Sequence, residues 1–238
     1  MDLAKLLADP AAFGAKYQPI VALASGRPVA YEALLHVEGV PPGAVFGAAA
    51  TAGRLADLDR VARDVAVRDA AGWLGGALLF VKLAVAPGDL PPDWLASTRA
   101  VAAEAAVPLR QVVLEVVQPG PGETLERTAR IVTRCRGAGC QVALVGALDP
   151  RTVRNLVSAL LPDYVTLDRS VVARLPGAEA TETAEDVVRA AEAGAARVIA
   201  FGVENDAQAA AVGRLGVEWA QGYLYGRPER RSPTVDTD

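Results

Sequence analysis

Apolar segments of strand length recur along this chain, and the residues between them place their apolar side chains at helical spacing. YQPIVAL and PVAYEALLHVE flank the polar connection ASGR, which predicts a tight hairpin around Gly26. LADLDRVARDVAVRDAAGWL then sets Leu55, Leu58, Val61, Ala62, Val65 and Ala66 on one helical face with Arg and Asp on the other. The strand ALLFVKLAV follows. From there helix and strand alternate: PDWLASTRAVAAEAAV with QVVLEVV, GETLERTARIVTRCRGAG with CQVALV, and PRTVRNLVSALL with DYVTLD. TAEDVVRAAEAGA with RVIAFGV and NDAQAAAVGRLG with EWAQG complete the series.

One antiparallel hairpin followed by repeated strand-helix units predicts an α/β fold with a mostly parallel sheet. Burial on both faces explains why CQVALV and RVIAFGV are nearly continuous apolar runs. About eight strands in a chain of 238 residues favour closure into a barrel. An open doubly wound sheet is the alternative, but no G-x-G-x-x-G or G-x-x-x-x-G-K-[ST] loop follows any strand. No linker or repeat divides the chain, so residues 1–228 read as a single domain. ERRSPTVDTD, residues 229–238, reads as a disordered tail.

Composition narrows the function. The formal charge of −4 and a pI near 5.2 leave no basic field for non-specific nucleic-acid or membrane binding. The apolar run AAGWLGGALLFV stops at Lys82, well short of a membrane span, and Asp2, Lys5, Asp9 and Pro10 interrupt any signal-peptide core. A cytoplasmic protein is expected, with Cys135 and Cys140 as reduced core thiols.

Glu32 raises the chemical question, because it interrupts an apolar strand four residues before the chain's single histidine, His36. A buried carboxylate costs several kcal/mol unless it is paired, so Glu32 requires a partner. In a barrel the C-terminal strand ends gather at one mouth. Those ends read Glu32, Lys82, Glu115, Val145 with Gly146, Thr166 with Asp168, Phe201 with Glu204, and Gln221.

The wording and order of YQPIV, YEALL, GRLADLD, VVLEV, DYVTLDRSVV, IAFGVE and AQGYLYGRP resemble the EAL domain of bacterial cyclic-di-GMP phosphodiesterases, over about residues 10–228. The resemblance implies a modified (β/α)8 barrel with one antiparallel strand near the N-terminus. It also implies hydrolysis of cyclic-di-GMP by two Mg²⁺ or Mn²⁺ ions held by strand-end carboxylates. Carried over on this basis, Glu32 and Glu115 keep metal-ligand positions, and Glu204, Gln221 and Asp168 are retained. The remaining positions depart from the pattern. Lys82 stands at the ligand asparagine, Val145 and Gly146 at the paired aspartates, Thr166 at the lysine, Phe201 at a glutamate, and His36 at an arginine that contacts phosphate.

These departures point to a degenerate member with no metal and no cofactor. The ammonium of Lys82 is expected to replace a metal ion and neutralise Glu32 and Glu115. The expected role is a regulatory or protein-interaction module in bacterial signalling; no particular partner is implied, and a homodimer is compatible with it. The alternative is a receptor that binds cyclic-di-GMP without cleaving it, using Gln18, Glu32, Asp168, Gln221, Arg227 and Pro228. Loss of the arginine at His36 makes that binding weak or absent. An active phosphodiesterase using Mg²⁺ or Mn²⁺ ranks last. The chain is either a stand-alone module or part of a longer protein.

Overall fold

The computed structural model describes residues 2–86, 90–117, 125–147 and 149–231. In chain order the elements are α1 (Leu3–Ala8), β1 (Phe13–Ala22), β2 (Pro28–Val37), α2 (Pro42–Thr51), α3 (Leu55–Arg68), β3 (Leu78–Leu83), α4 (Ala96–Glu104) and β4 (Val112–Val117). They continue with α5 (Leu125–Gly137), β5 (Gln141–Ala147), α6 (Pro150–Leu160), β6 (Tyr164–Leu167), α7 (Arg169–Val172), α8 (Ala178–Glu192), β7 (Arg197–Phe201), α9 (Asp206–Arg214) and β8 (Trp219–Gln221).

The strands close into a barrel in sequence order. β1 runs antiparallel to both neighbours, β2 and β8, and every other pairing is parallel. The expected modified (β/α)8 architecture is therefore present. Outside the barrel, α3 buries Leu58, Val61 and Val65 against the strands, as its spacing predicts. α2 was not foreseen, because PGAVFGAAAT has no polar face from which to read a helical period.

Inside the barrel the side chains stack in layers. Ile20, Ala30, Phe80, Val113, Ala143, Tyr164 and Ile199 form an apolar plug. Side chains in a strand return to the same face every second residue. The layer above the plug is therefore Gln18, Glu32, Lys82, Glu115, Val145, Thr166 and Phe201, with Gln221 from β8. The apolar plug denies water access from below, so polar groups in this layer must be satisfied from the mouth or by one another.

The tail expectation needs correcting at its start. β8 is short and pairs only with Ile20, Val21 and Ala22, so the first half of β1 keeps an open edge with unpaired backbone groups. Glu229 fills part of it: Tyr17 N–H donates to its carbonyl at 2.7 Å, and its own N–H donates to Tyr17 O at 3.1 Å. The Arg231 guanidinium then stacks over the Tyr31 ring at 4.4 Å. Residues 232–238 lie outside the described residues.

Candidate functional site

The barrel mouth opens into a cavity of about 330 Å³. Gln18, Glu32, Lys82, Val145, Thr166, Phe201 and Gln221 line it from the strands, and Asp168, Arg169, Glu204 and Tyr223 from the segments above. The turn carrying Tyr223 lies tight against the segment that follows β7. A Cβ on Gly222 would come within 1.8 Å of the Val203 carbonyl oxygen, so only glycine allows this approach.

Glu32 has two partners. The Gln221 side-chain amide donates to Oε2 at 2.9 Å, and the Lys82 ammonium stands 3.5 Å from Oε1. Glu32 is buried, whereas the Lys82 side chain keeps 46% of its surface open, so solvent screens the ion pair from one side. Burial works against the charge on Lys82, but the carboxyls of Glu115 and Glu32 outweigh it and hold the lysine above its ordinary pKa. The ammonium stays charged.

Glu115 behaves differently from the expectation that Lys82 would satisfy both acids. It is fully buried, and neither carboxyl oxygen has a hydrogen-bond partner. Burial first, and then the neighbouring Glu32, push its pKa up to about 8, with Lys82 pulling the other way. Lys82 thus meets Glu32 by contact and Glu115 only through its field. Burial favours the neutral form of Glu115, in contrast to the ion-paired Glu32.

The opposite side of the mouth holds Val145, Gly146, Thr166 and Phe201. Gly146 adopts a φ of 85°, a left-handed conformation in which any L side chain is strained. Thr166 is buried, and its hydroxyl has no partner. Two hard dications need several oxygens in near-octahedral array. This mouth offers Glu32, already held by an ammonium, the buried Glu115, Asp168, whose carboxylate caps α7, and Glu204 at the rim, with no side-chain oxygen from Val145 or Phe201. Among the described residues, no group of three or more His, Cys, Asp or Glu side chains is placed to hold a metal ion. The donor set does not fit a two-metal centre.

Residues 5–228 match the EAL domain family. The chain belongs to the EAL domain family. Its fold is similar to the FimX EAL domain of Xanthomonas citri, solved in complex with c-diGMP, at a TM-score of 0.84 and 19% identity, covering 96% of this chain and 92% of that one. It is also similar to BlrP1 of Klebsiella pneumoniae, solved with calcium and cy-diGMP, at a TM-score of 0.82 and 25% identity, covering 93% of this chain and 57% of that one. An uncharacterized protein of Azorhizobium caulinodans is 25% identical over 241 residues, covering 92% of this chain and 33% of the relative. The EAL domain described here thus spans about a third of that relative's length.

The other positions singled out in this EAL domain are distributed around the cavity. Asp168 lines it, but its carboxylate also caps α7 by accepting from Ser170 N–H at 2.8 Å. Glu204 lines the rim. Gln18 donates to the Gly226 carbonyl at 3.0 Å, tying the turn after β8 to β1. Arg227, just before Pro228, stacks on the Tyr223 ring at 4.2 Å. His36 lies outside the cavity lining, and its Nε2 pairs with Glu38 at 3.2 Å. Cys135 and Cys140 are buried, and burial pushes both thiols up, to about 12 and about 11. Sequence reasoning passed over Arg169 and Leu34, which line the cavity. Arg169 was legible, since it directly follows the strand end at Asp168. Leu34 follows from the two-residue period beyond Glu32. No described helix is long and apolar enough to cross a membrane.

Proposed function

We propose that this EAL domain is a cytoplasmic regulatory module that acts through protein contact and does not hydrolyse cyclic-di-GMP. A single observation carries this reading: the ammonium of Lys82 stands against Glu32, where a dication would have to bind. Two positive centres at that separation repel strongly in a partly desolvated pocket, so lysine and metal compete for one carboxylate. The apolar Val145 and Phe201 support the reading, because neither supplies an oxygen to recover the lost coordination. The domain then needs no cofactor, and its output is a surface.

The test is direct. The purified chain, incubated with cyclic-di-GMP and Mg²⁺ or Mn²⁺, is expected to release no linear dinucleotide above a protein-free control; release at a catalytic rate would overturn the proposal. A second reading, a receptor that binds without cleaving, is supported by Gln18, Asp168 and Gln221 lining the cavity beside the exposed Arg169. Isothermal titration with cyclic-di-GMP separates the two. Weak or absent heat is expected for the interaction module, and a sub-micromolar constant would move the assignment to the receptor.

A further inference from the structure

The chain is acidic overall, yet one wall of the barrel carries a surplus of arginine. Arg99 on α4, Arg130 and Arg134 on α5, and Arg151 and Arg154 on α6 are all exposed. Arg99, Arg130, Arg151 and Arg154 make no ion pair among the described residues. Arg134 donates to the neutral carbonyl of Pro92. Several arginines elsewhere are engaged by acids, Arg60 with Asp64, Arg68 with Asp69, Arg189 with Glu185 and Asp186, and Arg197 with Glu218. Arg27, Arg110, Arg169 and Arg214, scattered around the barrel, make no ion pair among the described residues. Helix α3 supplies an acid one turn from its cations, whereas Glu126 on α5 and Asp149 at the start of α6 form no ion pair with these arginines. Hydrogen bonds from Thr152, and after them Arg151, nevertheless hold the Asp149 carboxyl below its ordinary pKa.

The same wall is grooved. A cavity of about 350 Å³ lies between the start of α4 and the end of α5, bordered by Arg99 and Arg134 and lined by Trp94, Leu95 and Ala138, with Asp93 also on its border. A cleft with apolar walls and two guanidinium forks on its border suits a side chain bearing carboxylates on an apolar stem. We propose that the α4–α6 wall is the docking surface of this domain for an acidic segment of another protein. The proposal deepens the interaction-module reading and rests on it for its biological role. A second copy of this chain fits less well. The acid-rich α8 already has Glu179, Glu185 and Asp186 engaged by Arg174 and Arg189, and two chains of charge −4 repel.

The experiment uses a fluorescein-labelled helical peptide with glutamates along one face and leucines along the other. A glutamine-for-glutamate peptide, a single-stranded DNA of equal charge and the unlabelled chain serve as competitors. The acidic peptide is expected to bind the wild-type chain with an affinity that falls as salt rises. Arg130→Glu with Arg154→Glu, both at exposed sites, should weaken it about 10-fold or more without changing the circular dichroism spectrum. Arg99→Glu should weaken it independently. Equal binding of the neutral peptide, or no effect of the charge reversals, would overturn the proposal. So would tighter binding of the DNA, or displacement of the peptide by the chain itself. The hydrolysis assay on the same preparations keeps the two claims apart: turnover would defeat the interaction-module reading and leave the peptide result standing.

Discussion

The two halves of the barrel mouth follow opposite rules. The arc from β8 through β1 to β4 keeps Gln221, Gln18, Glu32, Lys82 and Glu115, whereas the arc from β5 to β7 presents Val145, Thr166 and Phe201. In the polar arc the needs of Glu32 are met by the ammonium of the adjacent β3 and by the Gln221 amide, which reaches past β1 from β8. The strand positions of the apolar arc carry no carboxylate, and their one polar group, the Thr166 hydroxyl, is without a partner. Charge in a desolvated mouth survives where a neighbouring strand neutralises it. The lysine next door answers the charge of Glu32 from its own side of the mouth.

Breaking the polar arc should cause the largest loss of stability. Lys82→Met removes the cation facing two acids and is expected to destabilise the chain by on the order of 2 kcal/mol at pH 7.5. That is below the roughly 3–5 kcal/mol typical when a fully buried pair is broken, because nearly half of the lysine side chain meets solvent. Urea denaturation of the two proteins measures it, and an unchanged midpoint would show that Lys82 neutralises nothing.

Glu115→Gln sharpens the comparison through pH. The folded-state pKa of Glu115, about 8, lies above the ordinary 4.5, so the folded protein holds this proton more tightly than the unfolded chain. The resulting stability is complete below pH 4.5 and is lost as pH rises through 8. The variant should match wild type near pH 5 and exceed it near pH 9 by on the order of 4 kcal/mol. Parallel stability profiles for the two proteins would contradict the assigned burial of that acid.

Gln221→Leu removes the donor to Glu32 and should cost about 1–2 kcal/mol, since it strands one oxygen of a buried acid. Thermal unfolding reads this, and a neutral result would mean that the Lys82 contact alone suffices. The smallest change is expected in the apolar arc. Thr166→Val deletes a hydroxyl that bonds to nothing, and its effect should lie between zero and a gain of about 1 kcal/mol. A loss larger than that would reveal a role for the hydroxyl that the cavity geometry does not supply.

Much of this was legible in the residue pattern. The hairpin, the alternation of strand and helix, and the residues at each strand end follow from the periods of two and of 3.6, which need no tertiary information. α2 escaped because an all-apolar helix has no period to read. The pairing of Glu229 with Tyr17 escaped because ERRSPTVDTD looks solvated, and an open edge on β1 arises only once β8 proves too short to cover it.

At the site the division is sharper. That Glu32 needed a partner, and that Val145 and Phe201 offer no oxygen, are properties of side-chain chemistry and strand period, so the sequence by itself determined them. Which acid receives the ammonium was decided by tertiary structure. It depends on the stagger between β2, β3 and β4, which sets Lys82 Nζ 3.5 Å from Glu32 Oε1 and leaves Glu115 bonded to nothing. Position 146 was decided there as well, since a φ of 85° is a property of how the chain leaves β5. Residue identity states what a group requires, and only the closed barrel sets the few ångströms that determine whether a neighbour can supply it.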